Sequence, residues 1–158
     1  MKVLIAYYSR TGNTKKMAEL IAQGVTEESV ACDLKDVTTL GVDELLDYDA
    51  LIFGSPTYYG LMAYEMKKII DDSVKYHGKL SGKVGGAFSS SGMMGGGGET
   101  TILSILQAFM VHGMIVVGDA VLQHYGPLAV GQPDEEVRKM CIKYGQRIAV
   151  LVKKVFPV

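Results

Sequence analysis

The sequence predicts an α/β protein whose parallel sheet carries helices on both faces. Short apolar runs recur along the chain, they are continuous rather than alternating, and segments of helical period lie between them. A continuous apolar run is typical of a strand covered on both faces, as in a parallel sheet. The regular alternation of strand and helix therefore predicts an open parallel sheet with right-handed crossovers.

Five strands are expected in chain order. Four of them are strongly apolar, whereas the second in the chain is weaker because polar residues interrupt it. The predicted strands cover residues 2–8, 30–37, 50–54, 83–89 and 114–118.

The segments between the strands place apolar residues at helical spacing, so that each predicted helix has one buried face. These faces comprise Met17, Leu20, Ile21 and Val25; Met66, Ile69, Ile70 and Val74; Ile102, Ile105, Leu106 and Phe109; and Val137, Cys141, Tyr144, Ile148, Leu151 and Val155. A short helix over residues 42–47 is expected in the second connection. Asp134 is expected to start the last helix, and Glu99 to lie in the first turn of the helix before it, because helix N-termini favour acidic residues.

Composition limits the class of protein. The chain has 158 residues, 48% of them hydrophobic and 21% charged, which indicates one globular domain over residues 1–158. The formal net charge of −1 shows no electrostatic footprint for nucleic acid. Cys32 and Cys141 have no Cys/His cluster around them, which argues against a zinc site and a disulfide framework and fits a reducing cytoplasm.

No membrane span is expected. The most apolar later stretch, residues 102–117, is interrupted by Ser104, Gln107, His112 and Gly113. The apolar run at the start of the chain is too short for a signal peptide and leads into a polar loop. The sequence therefore predicts a cytoplasmic protein.

One polar loop separates the first strand from the first helix, and it reads Ser9-Arg10-Thr11-Gly12-Asn13-Thr14. A helix N-terminus presents unpaired N–H groups that attract a phosphate, and a glycine lets the backbone wrap the anion. The loop lacks the lysine of a P-loop and the Gly-x-Gly-x-x-Gly of a dinucleotide site. The alternative interpretation is an ordinary helix cap, since Ser, Thr and Asn all serve as caps.

Three segments resemble a known family. Residues 8–14 resemble the phosphate signature Thr/Ser-x-Thr-Gly-x-Thr of flavodoxins. Residues 48–60 and 88–92 resemble the flavodoxin-like NAD(P)H:quinone oxidoreductases of the WrbA type, and the similarity continues through residues 112–114. The resemblance implies an open five-stranded parallel sheet of order 2-1-3-4-5, and an FMN cofactor whose phosphate lies in the first loop.

The resemblance also implies two loops at the flavin ring. The second loop consists of Pro56, Thr57, Tyr58, Tyr59 and Gly60, and the third contributes Ser90, Ser91, Gly92, Met93 and Gly95. Pro56 and Gly60 are expected to shape a rigid turn, and one of the tyrosines to stack on a ring. The alternative for each tyrosine is that it covers the core or an interface.

The chain departs from the family pattern at several positions. Ser91 stands where the family has Thr, and an additional Met interrupts the glycine run that follows. Val111 occupies the first place of the family's His-His-Gly, so His112 is not assigned to the site. The roles of His124 and Tyr125 stay open, and His77 is expected in a surface loop.

The resemblance implies hydride transfer from NAD(P)H to FMN, followed by reduction of a small acceptor such as a quinone. No side chain is assigned a catalytic role, because the cofactor supplies the redox chemistry. Near-neutral charge, the absence of tryptophan and a Gly/Ser-rich third loop favour this enzyme. The chain is nevertheless shorter than typical quinone reductases and lacks both their extended insertion near the fifth strand and the tryptophan expected at the substrate site.

Two alternatives remain at this point. One is an electron-carrier flavodoxin that exchanges electrons with a redox protein, and the other is a flavin-free regulatory module. The resemblance further implies a homo-oligomer. The choice between NADH and NADPH and the physiological acceptor are not determined by the sequence.

Overall fold

The computed structural model describes residues 1–157. The strands are β1 (Lys2–Tyr7), β2 (Ala31–Asp36), β3 (Ala50–Tyr58), β4 (Leu61–Met62), β5 (Val84–Ser91), β6 (Ile115–Val116) and β7 (Leu128–Val130). The α-helices are α1 (Asn13–Glu27), α2 (Tyr64–Asp72), α3 (Gly98–Val111) and α4 (Glu135–Val155), and two 3₁₀ segments cover Val42–Asp47 and Ser73–Tyr76.

The strands form one sheet of order β2-β1-β3-β5-β6, in which these neighbours run parallel. This arrangement confirms the expected order 2-1-3-4-5. Two short strands extend the predicted five: β4 pairs antiparallel with β3, and β7 pairs parallel with the end of β5.

Two hydrophobic cores cover the two faces of the sheet. Successive residues of β1 alternate between them: Val3 and Ile5 lie in the core that α1 and α4 cover, whereas Leu4 lies in the core that α2 and α3 cover. Residues in a strand point alternately to opposite faces, so a continuous apolar run fills both cores at once. The prediction of helices on both faces is confirmed.

The fifth strand is not the single segment that the sequence predicts. β6 pairs only with the start of β5 and β7 only with its end, and residues 117–127 lie between them. Asp119 Oδ1 accepts hydrogen bonds from the amides of Val121 at 2.8 Å and Leu122 at 3.1 Å. Arg147 of α4 pairs with Asp119 Oδ2 at 2.7 Å. These contacts turn the chain away from the sheet after β6.

Neither β6 nor β7 pairs with the middle of β5, and a side chain of α4 takes the place of the missing strand there. The buried Ala87 amide donates to the Tyr144 hydroxyl at 3.0 Å. A buried N–H without a partner costs about 1–3 kcal/mol, so Tyr144 of α4 replaces the missing strand at this point.

One residue of the predicted buried helix faces lies on the surface. Val74 is exposed, because α2 ends at Asp72 and the chain continues as a 3₁₀ segment. The change from 3.6 to three residues per turn rotates Val74 outward, whereas Ser73 is buried and donates to Ile70 O at 2.6 Å.

The helix starts agree with their sequence signals. Asp134 precedes α4, and its Oδ1 accepts from the Val137 amide at 2.8 Å. Glu99 lies in the first turn of α3. No helix within residues 1–157 is both long enough and apolar enough to cross a membrane.

Candidate functional site

The carboxyl ends of β1, β3 and β5 meet at one edge of the sheet, because these strands are parallel neighbours. Three connections leave from this edge: residues 8–12, the turn at residues 59–60, and residues 92–97. Ligands of open α/β sheets bind outside the carboxyl ends of the strands. The structure thus brings the three predicted loops to the same edge.

The first loop ends at an uncapped helix. Gly12 precedes α1 with φ of +94°, and no side chain caps the helix. Ser9 Oγ accepts from the Gly12 amide at 3.1 Å, and the Lys16 amide donates to Gly12 O at 2.9 Å. The amides of Asn13 and Thr14 precede the first intrahelical bond and point out of the helix end. This geometry differs from an ordinary side-chain cap and offers donors to an anion.

The charges around the first loop favour an anion as well. Arg10 and Lys15 are exposed and form no ion pair within residues 1–157. The neighbouring Glu65 carboxylate raises the pKa of Tyr8 to about 12. A phenol is neutral near pH 7 with or without this shift, so Tyr8 adds no negative charge beside the loop, whereas Glu65 is a carboxylate close to it.

Hydrogen bonds between hydroxyl groups join the helix and strands from which the loops leave. Thr14 Oγ1 and Ser90 Oγ lie 2.9 Å apart in a buried pair, which joins the start of α1 to the end of β5. The Thr14 hydroxyl thus has a protein partner, and either hydroxyl of the pair can be the donor.

A second hydroxyl pair joins β3 to β5. Ser89 Oγ donates to Ser55 O at 2.8 Å and lies 2.9 Å from Thr57 Oγ1. A serine hydroxyl has one proton, so Thr57 is the donor to Ser89. The Thr57 oxygen consequently keeps its acceptor capacity for other groups.

The second loop is shorter than the sequence predicts. Pro56 and Thr57 lie within β3, and Pro56 stands opposite Ser90 of β5 in the sheet register. The turn itself consists of Tyr59 and Gly60, with φ of +51° and +79°, between β3 and β4. The expectation that Pro56 shapes the turn is therefore wrong: β3 pairs with β5 up to Pro56 and with β4 at Thr57 and Tyr58, so the turn begins only after Tyr58.

The two tyrosines of this hairpin point outward. Tyr59 is fully exposed, and Tyr58 is more than one third exposed. Neither covers the core, so stacking on a ring and contact at an interface remain for each of them. Their rings are accessible at the edge where the loops meet.

The third loop begins only after β5 ends at Ser91, so it is shorter than the sequence predicts. Ser90 and Ser91 are buried as the last residues of β5, whereas Gly92, Met93 and Gly95 are exposed. The placement of both serines in a loop is wrong, because pairing with β7 extends β5. A cleft of about 370 Å³ lies against Ser91, Met93 and Gly95 on the β7 side of this loop.

Four residues that hold the loops were missed from the sequence. Ser55 Oγ accepts a hydrogen bond from the Ala63 amide at 2.8 Å, which joins β3 to the residue that precedes α2. Ser89 joins β3, and Gly97 and Thr100 contact the turn at Gly60. Ser89 stands in a run of three serines at the end of β5, which could have indicated a role at the loops. No sequence feature near Thr100 indicates its contact with Gly60.

His77 and His112 lie away from the three loops. His112 ends α3 at the opposite edge of the sheet, where its Nε2 lies 2.8 Å from Ser73 Oγ. Burial, and then the neighbouring His77, lower the pKa of His112. His77 is exposed, as expected. His124 and Tyr125 line a cleft of about 250 Å³ beside α3, and this cleft shares Glu99 and Leu128 with the cleft at the third loop. Within residues 1–157 no three His, Cys, Asp or Glu side chains form a group that could hold a metal.

Comparison with known proteins gives consistent matches. Residues 4–110 match the family model of the flavodoxin domain. A flavodoxin of Aquifex aeolicus is 42% identical over 94% of this chain and 85% of its own length. An NAD(P)H dehydrogenase (quinone) of Archaeoglobus fulgidus is 33% identical over 97% of this chain and 98% of its own.

Solved structures agree with these matches. The crystal structure of the flavodoxin, WrbA-like protein from Agrobacterium tumefaciens has a TM-score of 0.86 to this chain at 27% identity. The match covers 98% of this chain and 99% of that one. The relatives therefore carry two kinds of name, flavodoxin and NAD(P)H dehydrogenase (quinone).

Proposed function

The chain belongs to the flavodoxin domain family, and from this premise we propose that it binds FMN and transfers electrons from NAD(P)H to a small acceptor such as a quinone. The observation that carries the proposal is the uncapped N-terminus of α1 behind Gly12. It lies at the edge where the two other loops also arrive.

The first loop fits the phosphate of FMN. Free amides at a helix N-terminus and the partial positive charge of the helix stabilise an anion. A Cβ built on Gly12 would meet no atom within 4 Å, so there is open space above the backbone. Arg10 and Lys15 add long-range attraction to a doubly charged group.

The other two loops fit a flat ring. The turn at Tyr59 and Gly60 and the glycines 92 and 95 present backbone at the same edge of the sheet. Backbone N–H and C=O groups can bind the polar edge of the ring, and the Tyr58 or Tyr59 ring can stack on its face. Bound FMN would supply the electron-transfer chemistry, while the protein binds and orients it.

The exposed third loop supports the reductase. Gly92 and Gly95 have no side chain to cover the ring, so a nicotinamide or quinone could approach it closely. The Archaeoglobus relative is named for this activity. A homo-oligomer remains a prediction for this chain.

An electron carrier is the second candidate. The Aquifex relative is named flavodoxin. The exposed side chains of Tyr59, Met93 and Met94 surround the loops with apolar surface, which suits contact with a redox protein.

Titration with FMN tests the binding step. We expect flavin fluorescence to change on binding, and saturation at about a hundred times Kd to stabilise the fold by about 2.7 kcal/mol. Thr11→Glu places a negative charge in the exposed first loop and should weaken binding. Thr26→Glu introduces the same charge at the other end of α1 and serves as the control. Unchanged FMN affinity of Thr11→Glu would show that the phosphate binds elsewhere.

Anaerobic mixing of the FMN-loaded protein with NADH or NADPH separates the two candidates. Bleaching of the flavin absorbance, followed by reoxidation with benzoquinone over many turnovers, supports the reductase. Reduction only in the presence of a reductase protein supports the carrier. Failure of FMN to bind at all would overturn both.

A further inference from the structure

The turn of the second loop is held by a residue from α3. Thr100 Oγ1 donates to Gly60 O at 2.7 Å, and it also lies 2.9 Å from Gly97 O. The single hydroxyl proton is shared between one carbonyl of the second loop and one at the end of the third. Thr100 thus joins the two loops that are proposed to face the flavin ring.

The backbones of Gly97 and Gly60 are also in close contact where Thr100 joins the two loops. A Cβ on Gly97 would lie 2.5 Å from Gly60 Cα and 3.1 Å from Thr100 Oγ1. Gly97 also has φ of +93°, which L side chains rarely adopt. Only glycine at this position allows the two loops to approach so closely.

The turn that Thr100 contacts is under strain. Tyr59 has φ of +51°, a left-handed backbone conformation that non-glycine residues rarely adopt. The Tyr59 side chain is fully exposed and makes no core contact that would hold it. Such conformations persist where the surroundings over-determine them. The hydrogen bond from Thr100 is a restraint of this kind.

We propose that Thr100 is a positioning residue, which through Gly60 sets the separation of the second and third loops that the FMN ring requires. The inference rests on the proposed binding of FMN. Thr100 itself need not touch the cofactor: it acts by fixing the direction in which the peptide groups of the turn point.

Two substitutions at one position separate the hydrogen bond from the volume of the side chain. Thr100→Val keeps the shape and removes the donor, whereas Thr100→Ser keeps the donor. Ser104→Ala is the matched control, since Ser104 also donates within α3, to Thr101 O at 2.8 Å, but is one turn further along the helix. Urea unfolding of each variant verifies that the fold is intact.

We expect Thr100→Val to raise the Kd for FMN about 3- to 10-fold, the range that loss of one net hydrogen bond gives. The visible circular dichroism and the midpoint potential of the bound flavin should shift with it, because the ring's polar edge meets a displaced turn. Thr100→Ser should restore all three quantities to near the wild-type values, and Ser104→Ala should leave them unchanged.

The outcomes distinguish this inference from the proposed function. If wild-type protein binds no FMN, the proposed function fails and this inference fails with it. If wild-type protein binds FMN and Thr100→Val matches it in affinity, circular dichroism and potential, only the inference is overturned. It is also overturned if Thr100→Ser is as impaired as Thr100→Val, since the hydroxyl would then not be the cause.

Discussion

Replacing Gly12 with alanine probes the backbone geometry of the first loop. Gly12 has φ of +94°, and a Cβ there would meet nothing within 4 Å. The substitution therefore adds no steric clash, and its cost is that of the left-handed conformation alone, about 1–2 kcal/mol. The loop is exposed, so the free protein can relax by changing this one dihedral angle.

We therefore expect Gly12→Ala to weaken FMN binding rather than to lower the stability of the free protein. FMN binding requires the strained conformation to be restored, which lowers the population of the competent loop. A difference of about 1–2 kcal/mol corresponds to a Kd about 5- to 30-fold higher. The free energy of unfolding of the free protein in urea should change by less than about 1 kcal/mol.

Gly78→Ala is the matched control for this experiment. Gly78 has φ of +80° and likewise nothing within 4 Å, but it lies before β5, at the edge of the sheet opposite the loops. Fluorescence titration should give Gly78→Ala the wild-type Kd. The reasoning is refuted if Gly12→Ala binds FMN within twofold of wild type, or if Gly78→Ala weakens binding equally.

Two further predictions concern stability. Tyr144→Phe leaves the buried Ala87 amide without an acceptor and should lower the free energy of unfolding in urea by about 1–3 kcal/mol; a loss no larger than that of the exposed-ring control Tyr125→Phe would contradict the role of Tyr144. Burial lowers the pKa of His112 in the folded state, so the unfolded state binds more protons below about pH 6.5 and stability should fall as the pH decreases from 7.5 to 5. His112→Gln should flatten this slope relative to His124→Gln, and an equal slope in both would show that other groups cause it.

Much of the fold follows from local pattern. Apolar runs and helical periods are properties of short segments, and they located the helices and the parallel strands. The start of α4 was predictable because Asp134 caps the helix with its own side chain, three residues from its partner. The first loop was recognisable for the same reason, since its glycine and the helix that follows are adjacent in the chain.

The ends of the strands were less predictable. β3 stays paired with β5 up to Pro56 and continues to Tyr58 beside β4, and β5 continues to Ser91 because β7 pairs with it. β5 and β7 are distant in sequence from the strands with which they pair. The interruption of the fifth strand depends on Arg147, which reaches Asp119 from α4. None of these pairings leaves a periodic signal in the segment that it changes.

The sequence by itself determined the class of fold, the position of the first loop and the edge of the sheet at which a ligand would bind, because each depends on residues close together along the chain. Only the tertiary structure decided which groups hold the site together. Thr14 meets Ser90, and Thr100 meets Gly60, across long separations in sequence. Hydrogen bonds act over about 3 Å, and only folding brings such residues within that distance.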